Sequence, residues 1–270
     1  MPYYPQYAVT SSYQGPGDVV SGAYGWWGLR AYSSAQCTGL VKSINVRRAS
    51  DNATMDIVIL SNGNLDTATL STFLTSTTGF ITTWYEQSGG GGPDLTQAVS
   101  GSQPQIILTG GFGSLPTLVG NGTALLGGVI TSQAQPYTVS FVAQRTSAFT
   151  TIGNIGGNSL GTTFLFGASN SANTWRMSSG TMATFTASDS VGHTFQLTFN
   201  GTSSSACVDG TPTTVSAGTN ATGVATLQVL GLTAGLPFRG ILGEFGFWDL
   251  GFNSTQQTNM DTNQSNYWGV

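Results

Sequence analysis

Residues 136–145 read PYTVSFVAQR, and residues 193–200 read HTFQLTFN. In the first, Tyr137, Val139, Phe141 and Ala143 fall on one side of an extended chain and Thr138, Ser140 and Gln144 on the other. In the second, Phe195, Leu197 and Phe199 alternate with Thr194, Gln196 and Thr198. Side chains leave a pleated backbone on opposite sides in turn, so this period of two marks strands with one buried face. Both stretches predict an aromatic inner face and a hydroxyl- and amide-bearing face turned outward.

The same pattern extends in both directions. LVKSINVRR (40–48) puts Leu40, Ile44 and Val46 on one face, and MDIVIL (55–60) and GFITTWY (79–85) read as strands. ATLQVLGL (225–232) and GILGEFGFWDL (240–250) close the set. In SACVDGTPTTV (205–215), Asp209-Gly210 predicts a hairpin, because glycine supplies the positive φ of a two-residue turn. Helical signals are few. Leu70, Phe73 and Leu74 share a face in LDTATLSTFLTS (65–76), with Asp66 at its start. Ser254 and Gln257 stand at capping-box spacing ahead of a C-terminal helix. Many short strands and one or two short helices predict an all-β sandwich spanning residues 23–270 as one domain. Residues 1–22, rich in Tyr, Pro, Gln and Gly without a period, predict an extended arm. Its Tyr3, Tyr4, Tyr7 and Tyr13, with Trp26 and Trp27, are candidate assembly contacts.

Composition narrows the function. Charged residues make up 7% of the 270, where soluble domains run near about 25%, and 38 residues are glycine. Seven Lys and Arg with a net charge of −4 cannot form the basic stripe that nucleic acid requires. No stretch of about 20 apolar residues predicts a membrane span, and the first residues lack the basic and apolar regions of a secretion signal. Cys37 and Cys207 stand far apart, so a disulfide between them stays open, and no Cys/His spacing predicts a metal site or cofactor.

Three stretches carry a resemblance. NVRRASDNATMDI (45–57), GNLDTATL (63–70) and TTWYEQSGGGGPDLTQ (82–97), followed by SQPQI (102–106), resemble the arabinofuranosidase-B catalytic domain. The closer likeness is to bacteriophage virion proteins that carry that domain alone. The resemblance implies a concanavalin-A-like (jelly-roll) β-sandwich. It also implies a glutamate nucleophile in a mid-chain strand and an aspartate after a Gly-Gly pair before the last strand. Retaining glycosidases need two carboxyl groups about 5 Å apart. Here no Asp or Glu lies between Asp94 and Asp189, and LGLTAGLPFRG (230–240) has none either. The expectation is therefore of no catalytic residues: a non-enzymatic structural protein of a tailed-phage virion, on its head or tail. It would be exposed on the particle, joined to other virion proteins and self-associated as a trimer. The alternatives are a lectin-like module binding host-surface glycan and a degenerate glycoside hydrolase.

Trp84, Tyr85, Glu86 and Gln87 are the candidate glycan-binding residues, an aromatic platform beside a carboxylate and an amide. The other reading of the same residues is that Glu86 and Gln87 bond backbone donors and hold the glycine turn shut. His193, the one histidine, reads as structural, and Glu244 as paired internally near Arg239.

Overall fold

A computed structural model describes residues 13–146, 152–158, 163–222, 225–233 and 238–270. In chain order its strands are β1 (Gly25–Gly28), β2 (Lys42–Arg48), β3 (Thr54–Val58), β4 (Gly79–Trp84), β5 (Leu95–Thr96) and β6 (Gln105–Ile107). Next come β7 (Thr117–Asn121), β8 (Leu126–Ile130), β9 (Tyr137–Arg145), β10 (Gly153–Asn158), β11 (Leu165–Ala168) and β12 (Thr174–Ser178). The last are β13 (Met182–Thr186), β14 (Gly192–Phe199), β15 (Ser204–Val208), β16 (Thr211–Val215), β17 (Ala225–Val229) and β18 (Arg239–Trp248). The helices are α1 (Pro16–Val19), α2 (Thr67–Phe73) and α3 (Ser254–Trp268). All the strand pairs are antiparallel, and the whole is the β-sandwich that the alternation predicts, in the jelly-roll form that the resemblance implies.

The two stretches quoted first lie at its centre. β9 pairs with β14 along Tyr137–Gln144 and with β18 on its other side, and β14 continues to β15 and β16. The facing layer runs β8, β17, β10, β11, β12, β13. Aromatic rings fill the space between. Phe141 stacks on Phe195 at 4.7 Å within one layer and on Phe166 of the other at 5.4 Å, while Trp175 meets Phe195 at 4.5 Å. Rings at these spacings add to the burial of their own area, which is the largest source of stability in such a core.

The other face of β14 departs from the sequence reading. Thr194, Gln196 and Thr198 are buried rather than turned to water, because α3 lies across them. Ser140 Oγ and Gln196 Nε2 both donate to Gln264 Oε1, at 3.2 and 2.9 Å. The helix buries Gln257, Asn263 and Gln264 together with Met260 and Trp268, so it docks by amides as much as by apolar contact. Its cap begins one residue earlier than Ser254. Asn253 Oδ1 accepts from Gln256 N at 3.0 Å, and Gln256 Oε1 accepts from Asn253 N at 2.9 Å.

Other expectations are met or corrected locally. Asp66 accepts from Thr69 N at 3.0 Å and starts α2. Asp209 and Gly210 have φ of 47° and 73°, the two positive values of the predicted hairpin between β15 and β16. Leu40 is 81% exposed, since a bulge between Lys42 and Ile44 breaks the alternation that joined it to Ile44 and Val46. Tyr3, Tyr4 and Tyr7 lie outside the described residues. From Tyr13 onward the arm is folded onto the body: Tyr13 OH donates to Ala31 O at 2.5 Å, and Gly17 N donates to Tyr32 O at 2.7 Å. No disulfide joins Cys37 to Cys207.

Candidate functional site

The glycine-rich lip after β4 is closed by its own polar groups. Glu86 Oε1 accepts from Trp26 N at 2.9 Å, from Ser88 N at 2.6 Å and from the Ser88 hydroxyl, and Oε2 accepts from Gly89 N at 2.9 Å. Gln87 N donates to Trp26 O, and its Nε2 donates to Gly28 O at 2.8 Å. The lip is thereby fastened to β1, and the Glu86 oxygens are occupied. Trp84 is fully buried and Gln87 nearly so, which leaves neither a face for a sugar. Tyr85 is half-buried, its hydroxyl donating to Asp56 Oδ1 at 2.7 Å. Trp26 and Trp27 are core residues too: Trp27 stacks on Phe245 at 5.4 Å and Trp26 packs on Trp248 at 6.1 Å.

Glu244 is buried, and its partner is Arg30 rather than Arg239. Arg30 Nε reaches Glu244 Oε2 at 2.6 Å, and Arg30 Nη2 reaches Oε1 at 2.9 Å. Arg239 stands exposed at the start of β18, five residues along the strand from Glu244 and opposite Asn121, too far at about 3.3 Å per residue to reach it.

Titratable groups converge at the open end of β14. His193 Nδ1 lies 2.6 Å from Asp209 Oδ2, and its Nε2 lies 3.0 Å from Ser188 O. Both neighbours are acceptors, so the imidazolium satisfies the two together. Burial opposes protonation of His193, but the Asp209 carboxylate and the Ser188 carbonyl outweigh it, and the pKa is raised. Asp209 Oδ1 accepts from Thr194 N at 3.0 Å. The Thr194 hydroxyl donates to Asp261 Oδ1, from α3. Asp209 and Asp261 thus meet the same threonine, one at its amide and the other at its hydroxyl.

Their environments differ. Burial lifts the Asp261 carboxyl above the ordinary carboxylate range, and the Asp209 charge adds to this against the pull of the Thr194 hydroxyl and the Gly210 N–H. Asp51, Asp56 and Asp66 are all held low. Asp209, but not Asp261, lines a cavity of about 360 Å³ together with His193, Asn173, Thr186, Ser188 and Thr213 among others. Two carboxyl groups whose surroundings differ, one of them with its pKa raised, are the kind of pair from which acid–base chemistry at a glycosidic bond is built. Sequence reading treats Asp209 as turn chemistry, and it passes over Asp261 because the helix that carries it has no apolar stripe to place it.

The sandwich and this pair define a class: a jelly-roll fold with carboxyl groups gathered at one end. Comparison with known proteins makes the class narrower. Residues 28–138 match the family "Alpha-L-arabinofuranosidase B, catalytic". A GH54 α-L-arabinofuranosidase soaked with a cyclic sulfate inhibitor superposes with a TM-score of 0.72 at 16% identity, over 93% of this chain and 65% of that one. An arabinofuranosidase complexed with arabinofuranosyl-α-1,2-xylobiose superposes with a TM-score of 0.70, at the same identity and coverage. Domain 4 of AbnA, a GH43 extracellular arabinanase from Geobacillus stearothermophilus in complex with arabinotriose, gives 0.50 at 12% identity, over 65% of this chain and 91% of that domain. The chain therefore spans just under two thirds of the length of the arabinofuranosidases it matches. No curated protein sequence matches it.

These findings overturn the expectation of a non-enzymatic virion component. The family that matches is a catalytic domain, the folds that superpose across most of the chain are glycoside hydrolases, and none of them points to a phage particle.

Proposed function

We propose that this chain is a glycoside hydrolase that removes arabinofuranosyl units from a glycan. The reading is carried by the catalytic-domain match over residues 28–138, supported by the superposition of 93% of the chain on arabinofuranosidases. The chain departs from the resembled pattern in having no Asp or Glu between Asp94 and Asp189. The acids of the reaction accordingly come from the later half. Asp261, whose pKa burial raises, is the general acid that protonates the leaving oxygen. Asp209, hydrogen-bonded to His193, is the carboxyl group that assists the incoming group, and His193 is a positioning residue that fixes its orientation.

The test is release of 4-nitrophenol from 4-nitrophenyl α-L-arabinofuranoside by the purified chain. Turnover is expected, with kcat falling by about 10²–10⁴-fold in Asp261→Asn. Binding of the arabinoside with no release, or release undiminished in both Asp261→Asn and Asp209→Asn, overturns the proposal.

A further inference from the structure

Three arginines are buried: Arg30, Arg145 and Arg176. Arg30 is paired with Glu244 and Arg145 with Asp189. Among the described residues Arg176 has no carboxylate partner. Its one hydrogen bond there runs from Nη2 to the amide oxygen of Asn154, at 2.8 Å, and its Nε–H meets no acceptor. The Nδ2 of Asn154 likewise meets none among them. Arg176 is 6% exposed and Asn154 is 0% exposed, so neither charge nor amide is relieved by bulk water. A guanidinium taken out of water without a countercharge is costly, and burial lowers the pKa of this one.

The sheet register places these groups in a row. Asn154 of β10 and Arg176 of β12 both pair with Gly167 of β11, and Arg176 pairs with Thr184 of β13. A side chain at Gly167 would run into β10, its Cβ 2.5 Å from Gly153 O and 2.6 Å from Asn154 Cα. The bare backbone at that point lets the guanidinium cross β11 to Asn154. Trp175 and Met177 point from β12 into the core, so Arg176 shares the opposite face with the hydroxyls of Thr174 and Ser178. Thr184, opposite Arg176, is exposed.

We propose that Arg176 and Asn154 form a subsite for a sugar carboxylate, the acidic group of a uronic-acid residue in the glycan. A carboxylate supplies the missing charge and accepts from the guanidinium Nε–H and the Asn154 amide together, and the flanking threonine and serine hydroxyls suit the ring hydroxyls of the same sugar. That the carboxylate belongs to a glycan rests on the function proposed above; the need for an anion does not.

Binding of methyl glucuronide, methyl glucoside and inorganic sulfate to the whole chain is the test, followed by NMR or calorimetric titration. Methyl glucuronide is expected to bind at least about tenfold more tightly than methyl glucoside, with the preference lost in Arg176→Met and reduced in Arg176→Lys. Arg176→Met removes an uncompensated charge, so its melting temperature is expected to hold or rise. If that variant fails to fold, Arg176→Lys and Asn154→Leu carry the test. Equal binding of the two glycosides, a preference that survives in the variants, or sulfate binding as tight as glucuronide overturns the subsite. None of these readouts involves bond cleavage. Loss of the subsite therefore leaves arabinofuranoside turnover standing, and loss of turnover leaves the subsite standing.

Discussion

Arg30 and Glu244, 214 residues apart in the chain, meet through two hydrogen bonds of 2.6 and 2.9 Å with both side chains out of water. The pair stitches three elements together. Arg30 Nη2 also donates to Asn263 Oδ1 at 2.8 Å, Gln264 Nε2 donates to Glu244 Oε1 at 3.0 Å, and the guanidinium lies 4.4 Å over the Tyr267 ring. Removing one partner strands the other charge in the interior. Glu244→Leu is expected to cost about 3–5 kcal/mol in urea unfolding, and the double variant Arg30→Met/Glu244→Leu distinctly less. If the double variant is as unstable as the sum of the singles, the two residues act separately and the network has been misread.

Trp84 separates packing from recognition. Its ring is fully buried among core residues that include Ile44 and Leu95, which pair with it in the sheet. Trp84→Ala is expected to destabilise the fold by about 3–5 kcal/mol, read as a fall in the denaturant midpoint. Lost glycan binding with unchanged stability would place the ring at a surface instead.

How much of this was legible in the residues follows from what each element packs against. β9 and β14 announced themselves, since their aromatic faces alternate strictly. The Asp209-Gly210 turn did so because its backbone demands a particular residue. The C-terminal helix was legible as a helix but not as a lid on β14. Its buried side chains are Gln257, Asn263 and Gln264 as well as Met260 and Trp268, and hydropathy cannot distinguish an amide that meets a strand from one that meets water. The site was hidden for the same reason. Asp261 meets Thr194, the residue whose amide Asp209 holds, only because that helix lies across it, and counting acids along the chain finds the two far apart. Arg176 gave no sign at all. An arginine within a strand reads as a solvated edge until the register puts it opposite a glycine.

His193 predicts a pH dependence of a definite sign. Its neighbours are the Asp209 carboxylate, the Ser188 carbonyl and the edge of the Phe195 ring, and its folded pKa is raised. A raised value means that the folded state holds the proton more tightly. The stabilisation is complete below the unfolded pKa of about 6.5 and disappears as pH rises through the folded value. Melting temperatures of the protein and of His193→Gln, measured from pH 5.5 to 9, should differ most at the acidic end and converge toward the alkaline end. A difference that widens with rising pH would mean that His193 is held neutral.

Asp261 sets stability against activity. Its folded pKa is raised, chiefly by burial, so the charged form is disfavoured in the fold. The resulting penalty appears as pH climbs from the unfolded value of about 3.9 through the folded one, and it is absent below both. Asp261→Asn carries no charge yet still offers an oxygen to the Thr194 hydroxyl. The variant should therefore match the parent protein in chemical denaturation at pH 3 and exceed it at pH 7.5, while 4-nitrophenyl α-L-arabinofuranoside turnover is lost. A catalytic group kept in an unfavourable state commonly shows this exchange. A variant less stable than the parent at pH 7.5 would show instead that Asp261 is a charged structural partner of Thr194, and the general acid would have to be sought elsewhere.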